Sequence, residues 1–477
     1  MTEEPRVEQR ITDMGFYYKG SGEEIGPFTV EQEASATFDN EIADKLAVEV
    51  KDILLARQRE LLRSAGFEEV AEILGSTVRA DLANKLIMFC AGLLNFTDQD
   101  QVNILMAGES AGGKSYTALE VASYFPEDAL RIMATASPKA FYHDHGTWDA
   151  ERKVLIVDLK QKIILFLDQP HYMLVEALRP LLSHDRRQLV YKITDKNKQG
   201  SLRTKTVELI GYPTAIFCAA KFGLDEQERT RMFLLSPETT REKLLESIRL
   251  RIARDSDRKA FSTWIETHPR RKWLKARIQA IRNAGINEII VPDQEEIYKR
   301  FLNTHGHLAP RHQRDISRIL ALIKSHALLN WTHREKPSEG TILANKDDIE
   351  AGFWLYGLIA KSNELGVAPQ IYEIYEACIR PQLDETPTGI NRRSILTAYH
   401  AYTGRFMSEQ KLRKEILPSL EAAGLIVEEP DPLDKIQNLV MRPVTENTDT
   451  PQIIPLFPQG ENIVATSRGS PQGATNP

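Results

Sequence analysis

The sequence predicts an α/β protein: a parallel sheet with helices on both faces, flanked by helical segments and ending in a small unit of three helices and a two-stranded wing. Three observations carry this expectation. Between residues 101 and 240, short apolar runs (Val102 to Met106, Val154 to Val157, Ile163 to Leu167, Ala215 to Cys218, Met232 to Leu235) alternate with helical stretches, the pattern of an α/β sheet. A glycine-rich turn of the form GxxxxGK[ST] stands between the first run and a helical stretch, where such folds place it. The 477 residues, 42% hydrophobic and 27% charged, allow about three domains and exclude a wholly disordered or fibrous chain.

In chain order, residues 1–38 are rich in Glu, Gly and Thr without sustained periodicity and read as a loosely ordered arm. Over 39–100 the spacing turns helical, with Ile42, Leu46, Val50, Ile53, Leu54 and Leu61 three to four residues apart and Leu86, Ile87 and Phe89 beyond Gly75; this reads as a helical collar. Residues 101–240 form the sheet domain, and 241–365 return to helices as a lid or linker. A small globular unit spans 366–444, and 445–477, rich in Pro, Gly, Thr and Asn, read as a disordered tail. Cys90, Cys218 and Cys378 lie too far apart for a CxxC zinc pair or a disulfide framework and read as core thiols. The polar start and the lack of an apolar run of about 18 residues predict a cytoplasmic protein with no membrane partner. The net charge of −6 means that nucleic acid would have to be met by local basic surfaces.

The glycine-rich turn is Gly108, Glu109, Ser110, Ala111, Gly112, Gly113, Lys114 and Ser115, with Tyr116 opening the helix. Its glycines let the backbone curl so that successive N–H groups face phosphates, and the helix start adds its positive dipole. Lys114 is expected on the β- and γ-phosphates of ATP and Ser115 on Mg²⁺. The second metal ligand is expected at the end of a buried strand, where Asp168 stands. Asp158, ending the run before it, is the competitor, and the short Leu-Lys-Gln link between the two runs suggests a hairpin. Gln169 follows Asp168; an amide can orient water but cannot take its proton, leaving Glu109, Glu176 and Asp158 as alternative carboxylates.

With the loop, Asp168 and the later elements in this order, residues 85–330 resemble the AAA+ ATPases, above all the helicase modules of minichromosome-maintenance type and of plasmid or viral replication proteins. The resemblance covers about half the chain. Ser137 to His145 and Leu178 to Asp185 resemble helicase-like proteins of integrated elements, often encoded beside primases. It implies a homo-oligomeric ring, a hexamer by family habit, with ATP and Mg²⁺ between subunits and DNA in the channel. The runs 188–194 and 202–210 around an Asn- and Gly-bearing turn read as a β-hairpin. It carries Lys192, Lys196, Lys198, Arg203 and Lys205 against Asp195, and in the resembling family this hairpin grips DNA phosphates. Arg231, with Arg229 in reserve, matches the arginine presented to a neighbouring subunit's nucleotide. Arg311, with Arg314 close behind, matches the arginine of the lid helix. The family's polar residue at the end of the 213–221 stretch is replaced by Cys218, a weak hydrogen-bonder.

Residues 249–282 hold eleven Lys and Arg against three acids, with Trp264 and Trp273 interleaved. This fits either a nucleic-acid or subunit-binding face, or a solvated helix pair with tryptophans in its core. At the C-terminal end, segments 369–380, 391–402 and 408–423 read as helices and 425–429 and 438–442 as a wing, the order of a winged helix, which also closes the resembling chains. Lys411, Arg413 and Lys414 on its third helix are candidate DNA contacts, while Glu421, Glu428, Glu429, Asp431 and Asp434 favour protein docking. His143 and His145 lack further ligands at metal spacing. The leading expectation is an ATP-dependent DNA helicase or translocase serving replication of a plasmid, virus or integrated element, with a primase among its possible partners. The alternative is an ATP-gated DNA-binding switch that hydrolyses slowly.

Overall fold

The computed structural model describes residues 17–18, 24–25, 51–52, 54–108, 111–134, 136–137, 140–142, 146–168, 170–195, 203–219, 231–305, 308, 310–431 and 438–443. The arm, apart from a two-residue ladder between Tyr17–Tyr18 and Glu24–Ile25, and the tail 445–477 lie outside them, as do Ile42, Leu46, Val50 and Ile53 of the collar.

Four continuous apolar runs, buried on both faces, and one half-buried strand form a parallel sheet. These are β1 (Asn103–Ala107), β2 (Leu130–Met133), β5 (Ile163–Phe166), β8 (Thr214–Ala219) and β9 (Met232–Leu235). Their order is β9-β1-β8-β5-β2, and every pairing is parallel. Four of the five apolar runs supply four of these strands. The fifth strand, Leu130–Met133, is only partly buried, which is why its alternation with helices is not evident in sequence.

The run Val154–Val157 goes elsewhere. It becomes β4 (Val154–Asp158) of a second sheet with β3 (Thr147–Asp149), β6 (Gln188–Asp195) and β7 (Arg203–Ile210), in the order β3-β4-β7-β6. The expected hairpin between Val154–Val157 and Ile163–Leu167 therefore does not form. Instead β4 pairs parallel with β7, and the 159–162 turn carries the chain from one sheet to the other. Leu159 N–H extends the β4–β7 ladder by donating to Ile210 (2.8 Å), and Gly211, at φ 92°, packs so closely that a Cβ there would lie 2.7 Å from the Lys160 nitrogen. A shared core joins the sheets through helix α4 (Tyr172–Leu182): Phe166 and Phe217 stack at 5.0 Å, with Val157, Leu178, Val207 and Leu209 packed around them.

Helices of the sheet segment and of both flanking segments surround the central sheet. In chain order they include α1 (Phe67–Gly75), α2 (Leu82–Leu94), α3 (Lys114–Ala122), α5 (Arg241–Ser256), α6 (Arg258–Thr267), α7 (Pro269–Asn283), α8 (His312–Leu329), α9 (Lys346–Gly357) and α10 (Ala360–Glu364). Helix α2 is buried from Asn84 to Leu94 and is stitched to β8, where Thr214 donates to the Ala91 carbonyl at 3.3 Å. On the other side Arg318 of α8 donates to the Met232 carbonyl at 2.6 Å. A second side chain continues the cover of the β9 edge. Asn363 of α10 accepts from Leu234 N–H (2.8 Å) and donates to Leu234 C=O (2.9 Å), so the strand's outward polar groups are satisfied without another strand.

Residues 367–443 build a separate core around Ile379, Leu383, Ile395, Leu412, Leu417 and Val440. The helices expected there are present as 369–385, α12 (Arg392–Thr403) and 409–422; α11 is the first turn set, Pro369–Ile374. Two of these helices contain a π-turn, at Tyr375–Ile379 and Leu412–Ile416. Pro381 and Pro418 follow directly, and a proline ring inside a helix clashes with the carbonyl four residues back, which the wider turn relieves. The two strands expected there are joined by a third: Ile390–Asn391 pairs antiparallel with Asn438–Met441, which pairs antiparallel with Val427–Pro430. A second, smaller unit contains the helix Gln294–Thr304. Among the described residues no helix is long and apolar enough to cross a membrane.

Candidate functional site

The fully buried strand β1 delivers the chain to Gly108 at the C-terminal edge of the parallel sheet. Ala111 (φ 63°) and Gly113 (φ 93°) both take the left-handed conformation, and Gly113 caps α3. A Cβ at Gly113 would meet nothing within 4 Å, so the glycine answers to its backbone angle. Thr117 N–H to the Gly113 carbonyl, 2.8 Å, is the first rung of the helix. The amides before it stand ahead of the ladder, at the positive end of the helix dipole. Glu109 and Ser110 lie outside the described residues.

Lys114 spans the loop, its Nζ donating to the Gly108 carbonyl at 2.9 Å. Ser115 Oγ donates to the Leu167 carbonyl at 3.2 Å, just beyond the end of β5, which brings the loop to the residue preceding Asp168. The Asp168 side chain is exposed, and Gln169 lies outside the described residues. Strand β8 runs between β1 and β5 and sets the buried Cys218 thiol against Ser115. Burial pushes this thiol up to about 11, with the Ser115 hydrogen bond and the Lys114 charge acting in the other direction. Asp158 sits in the other sheet, its carboxylate accepting from Lys160 N–H at 2.8 Å in a turn. Glu176 is on the exposed face of α4.

A cavity of about 420 Å³ adjoins Gly112, Gly113 and Tyr116, within the range of about 300–1,000 Å³ of small-molecule sites. Val78, Leu244 and Leu250 give it apolar walls, and Arg79, Arg251, Arg254 and Arg405 give it positive charge. Its rim includes a strained turn, because Ala80 and Asp81 both have φ 51°. Left-handed geometry costs a non-glycine residue of order 1–2 kcal/mol, and the Asp81 carboxylate holds it in place. It accepts from Glu238 N–H (2.8 Å) and Asn84 Nδ2 (3.0 Å) and is ion-paired with the buried Lys243. The Tyr116 hydroxyl donates to the Thr77 carbonyl at 3.2 Å and is pushed up to about 12 by burial. Neither Arg79 nor Arg405 stands near the glycine loop in sequence, and Arg251 and Arg254 belong to a charge run that reads as a binding face or a solvated helix pair, so sequence reasoning placed none of the four at this cavity.

The other candidate residues fall into distinct places. Arg231 immediately precedes β9, whose register sets Met232 beside Asn103. It is therefore at the N-terminal edge of the sheet, about 16 Å of strand away from Gly108, with Nη1 3.8 Å from Asp185. Arg229 lies outside the described residues. Arg311 caps α10 by donating to the Glu364 carbonyl at 2.7 Å. Arg314 is half-buried one turn on.

The β6–β7 pairing is antiparallel from Gln188↔Ile210 to Asp195↔Arg203, a ribbon about 26 Å long. Lys192 is exposed and Lys205 half-buried on it, while Lys196 and Lys198 at its tip lie outside the described residues. Within the basic segment, Arg271, Arg277 and Arg282 are structural. Arg271 donates to Thr77 Oγ1 at 3.0 Å and covers the Tyr124 ring. Arg277, wholly buried and lowered to about 10 by that burial, donates to the carbonyls of Leu61, Arg63 and Leu329. Arg282 pairs with both oxygens of Asp128 at 2.7 and 2.6 Å. Arg249, Arg258, Lys259 and Lys272 remain exposed, and so do Arg413 and Lys414 in the C-terminal unit, with Lys411 half-buried beside them. His143 and His145 lie outside the described residues. Protein-family models give no match to this chain, and neither do curated proteins.

Proposed function

We propose that this chain is an ATP-binding protein of AAA+ type, similar in build to minichromosome-maintenance helicase modules, and that it works on DNA as an oligomeric ring in replication of a plasmid, virus or integrated element. The observation that supports this best is the join between Ser115 and Leu167, with one parallel strand, β8, inserted between the loop strand and the Asp168 strand. The donors fit the groups they would take. The loop amides and Lys114 suit phosphate, the neighbouring cavity suits a nucleoside, and the Ser115 and Asp168 oxygens suit Mg²⁺. Bound there, the metal would neutralise charge on the phosphate oxygens.

In this reading Lys114 exchanges the Gly108 carbonyl for phosphate oxygens, a charge-assisted contact of higher strength. Arg231, too far from its own loop to act in cis, serves the neighbouring subunit's nucleotide through its planar fork. The β6–β7 ribbon carries Lys192 and Lys205 toward DNA phosphates, and residues 367–443 form a winged helix with Arg413 and Lys414 on its third helix.

A second reading, an ATP-gated DNA-binding switch, is favoured by Cys218. A buried thiol beside Ser115 is a poor aligner of water, which suits slow hydrolysis. Steady-state ATP turnover of the wild type, Lys114→Ala and Arg231→Ala, with and without single-stranded DNA, decides between them. Turnover that DNA stimulates and both substitutions remove supports the motor. Tight ATP binding with negligible turnover supports the switch, and failure to bind ATP removes both.

A further inference from the structure

The C-terminal unit reaches the cavity of its own chain at one point and the glycine loop at another. Helix α12 ends at Gly404, in the left-handed conformation at φ 71°, with its N–H donating to the His400 carbonyl at 2.8 Å. The chain reverses there, and Arg405 N–H donates to Thr403 Oγ1 at 3.2 Å, which fixes the turn that brings Arg405 into the cavity wall beside Gly112, Gly113 and Tyr116. At the other point, Gln370 Oε1 of α11 lies 3.8 Å from where a Cβ would stand on Gly108.

The charges around the cavity single out Arg405. Lys243 is committed to Asp81, and Arg251 and Arg254 share Asp255 at 3.4 and 3.2 Å. Two cavity arginines make no ion pair among the described residues, Arg79 and Arg405; Arg79 is exposed to water and Arg405 is half-buried. A guanidinium in a partly desolvated wall gains most from an anionic ligand that its planar fork can meet.

We propose that Arg405 binds the nucleotide in cis and that nucleotide occupancy thereby tightens the C-terminal unit against the sheet domain. The inference rests on the proposed nucleotide site and adds a regulatory contact to it. Because binding and docking are linked, each strengthens the other by the same factor. The unit that carries the exposed Arg413 and Lys414 is thus held or released according to the state of a site remote from them in sequence.

The test uses the full chain, with ATP and ADP as probes. Dissociation constants are measured by calorimetry for the wild type, Arg405→Ala, Arg405→Lys and Lys114→Ala, and amide exchange over 392–423 is followed with and without nucleotide. Arg405→Ala is expected to weaken ATP about tenfold, Arg405→Lys to recover part of that loss, and nucleotide to slow exchange over 392–423 in the wild type but not in Arg405→Ala. The lysine variant and exchange without nucleotide separate a lost contact from misfolding. If both Arg405 variants bind ATP like the wild type while Lys114→Ala does not, the inference is wrong and the proposed site stands. If affinity falls without any change in exchange, the coupling is wrong. If the wild type takes no nucleotide, the proposed function and this inference fall together.

Discussion

Ser115 Oγ and the Leu167 carbonyl stand 3.2 Å apart, so two segments some fifty residues apart in the chain share one hydrogen bond at the edge of the sheet. Every reading of the site depends on that contact, because it brings the hydroxyl of the described loop to the residue before Asp168.

Ser115→Ala and Asp168→Asn should each weaken Mg²⁺-dependent ATP binding by about 10- to 100-fold, the loss of a contact to a charged group worth about 1.5–3 kcal/mol. Titration of nucleotide with and without Mg²⁺ checks this. Equal affinities for wild type and variants in Mg²⁺ would place the metal elsewhere.

Arg231 and Lys114 are expected to serve different subunits' sites. Arg231→Ala and Lys114→Ala should each lose turnover alone, and mixing the two proteins should restore a fraction of it, since a mixed oligomer joins an intact loop to an intact arginine. Turnover that stays absent at every mixing ratio would refute the trans arrangement.

Asn363→Leu should destabilise the protein by about 2–6 kcal/mol, because Leu234 would keep a buried N–H and C=O with no partner, at about 1–3 kcal/mol for each group. Urea denaturation reads the change. A variant as stable as the wild type would mean that solvent satisfies the β9 edge.

The Asp348 carboxylate is wholly buried yet stays below the ordinary aspartate range. Burial opposes its charge, and the hydrogen bonds from His326, Arg334 and Asn345 N–H outweigh that. A carboxyl with a lowered folded-state value stabilises above its unfolded value of about 3.8 and loses that contribution as pH falls through the folded one. Asp348→Asn should therefore cost about 3–5 kcal/mol at pH 7, where it leaves the buried Arg334 guanidinium without its carboxylate, and the gap to wild type should close in acid below pH 4. A gap in melting temperature that does not change with pH would assign the loss to shape instead.

Gly352 lies where α9 crosses α8, and a Cβ there would stand 2.8 Å from the Ile323 nitrogen. Backbone cannot yield as a flexible side chain does, so Gly352→Ala should cost about 1–3 kcal/mol in spite of alanine's better helix propensity. A higher melting temperature would show that the two helices can part without loss.

The amino-acid sequence by itself determined the local elements whose chemistry is local. The glycine loop is legible because a turn with left-handed residues needs Gly113 at a set spacing from the helix it opens, and the central strands because a strand buried on both faces must be apolar throughout. Tertiary structure alone decided which strands share a sheet, since Val154–Val157 and Ile163–Leu167 are equally apolar and only the pairing of β4 with β7 separates them. It also decided which arginines face the cavity. A guanidinium reads the same in sequence whether it caps a helix like Arg311, fills a core like Arg277 or lines a cavity like Arg405, because its role is set by carbonyls and carboxylates brought to it from distant parts of the chain.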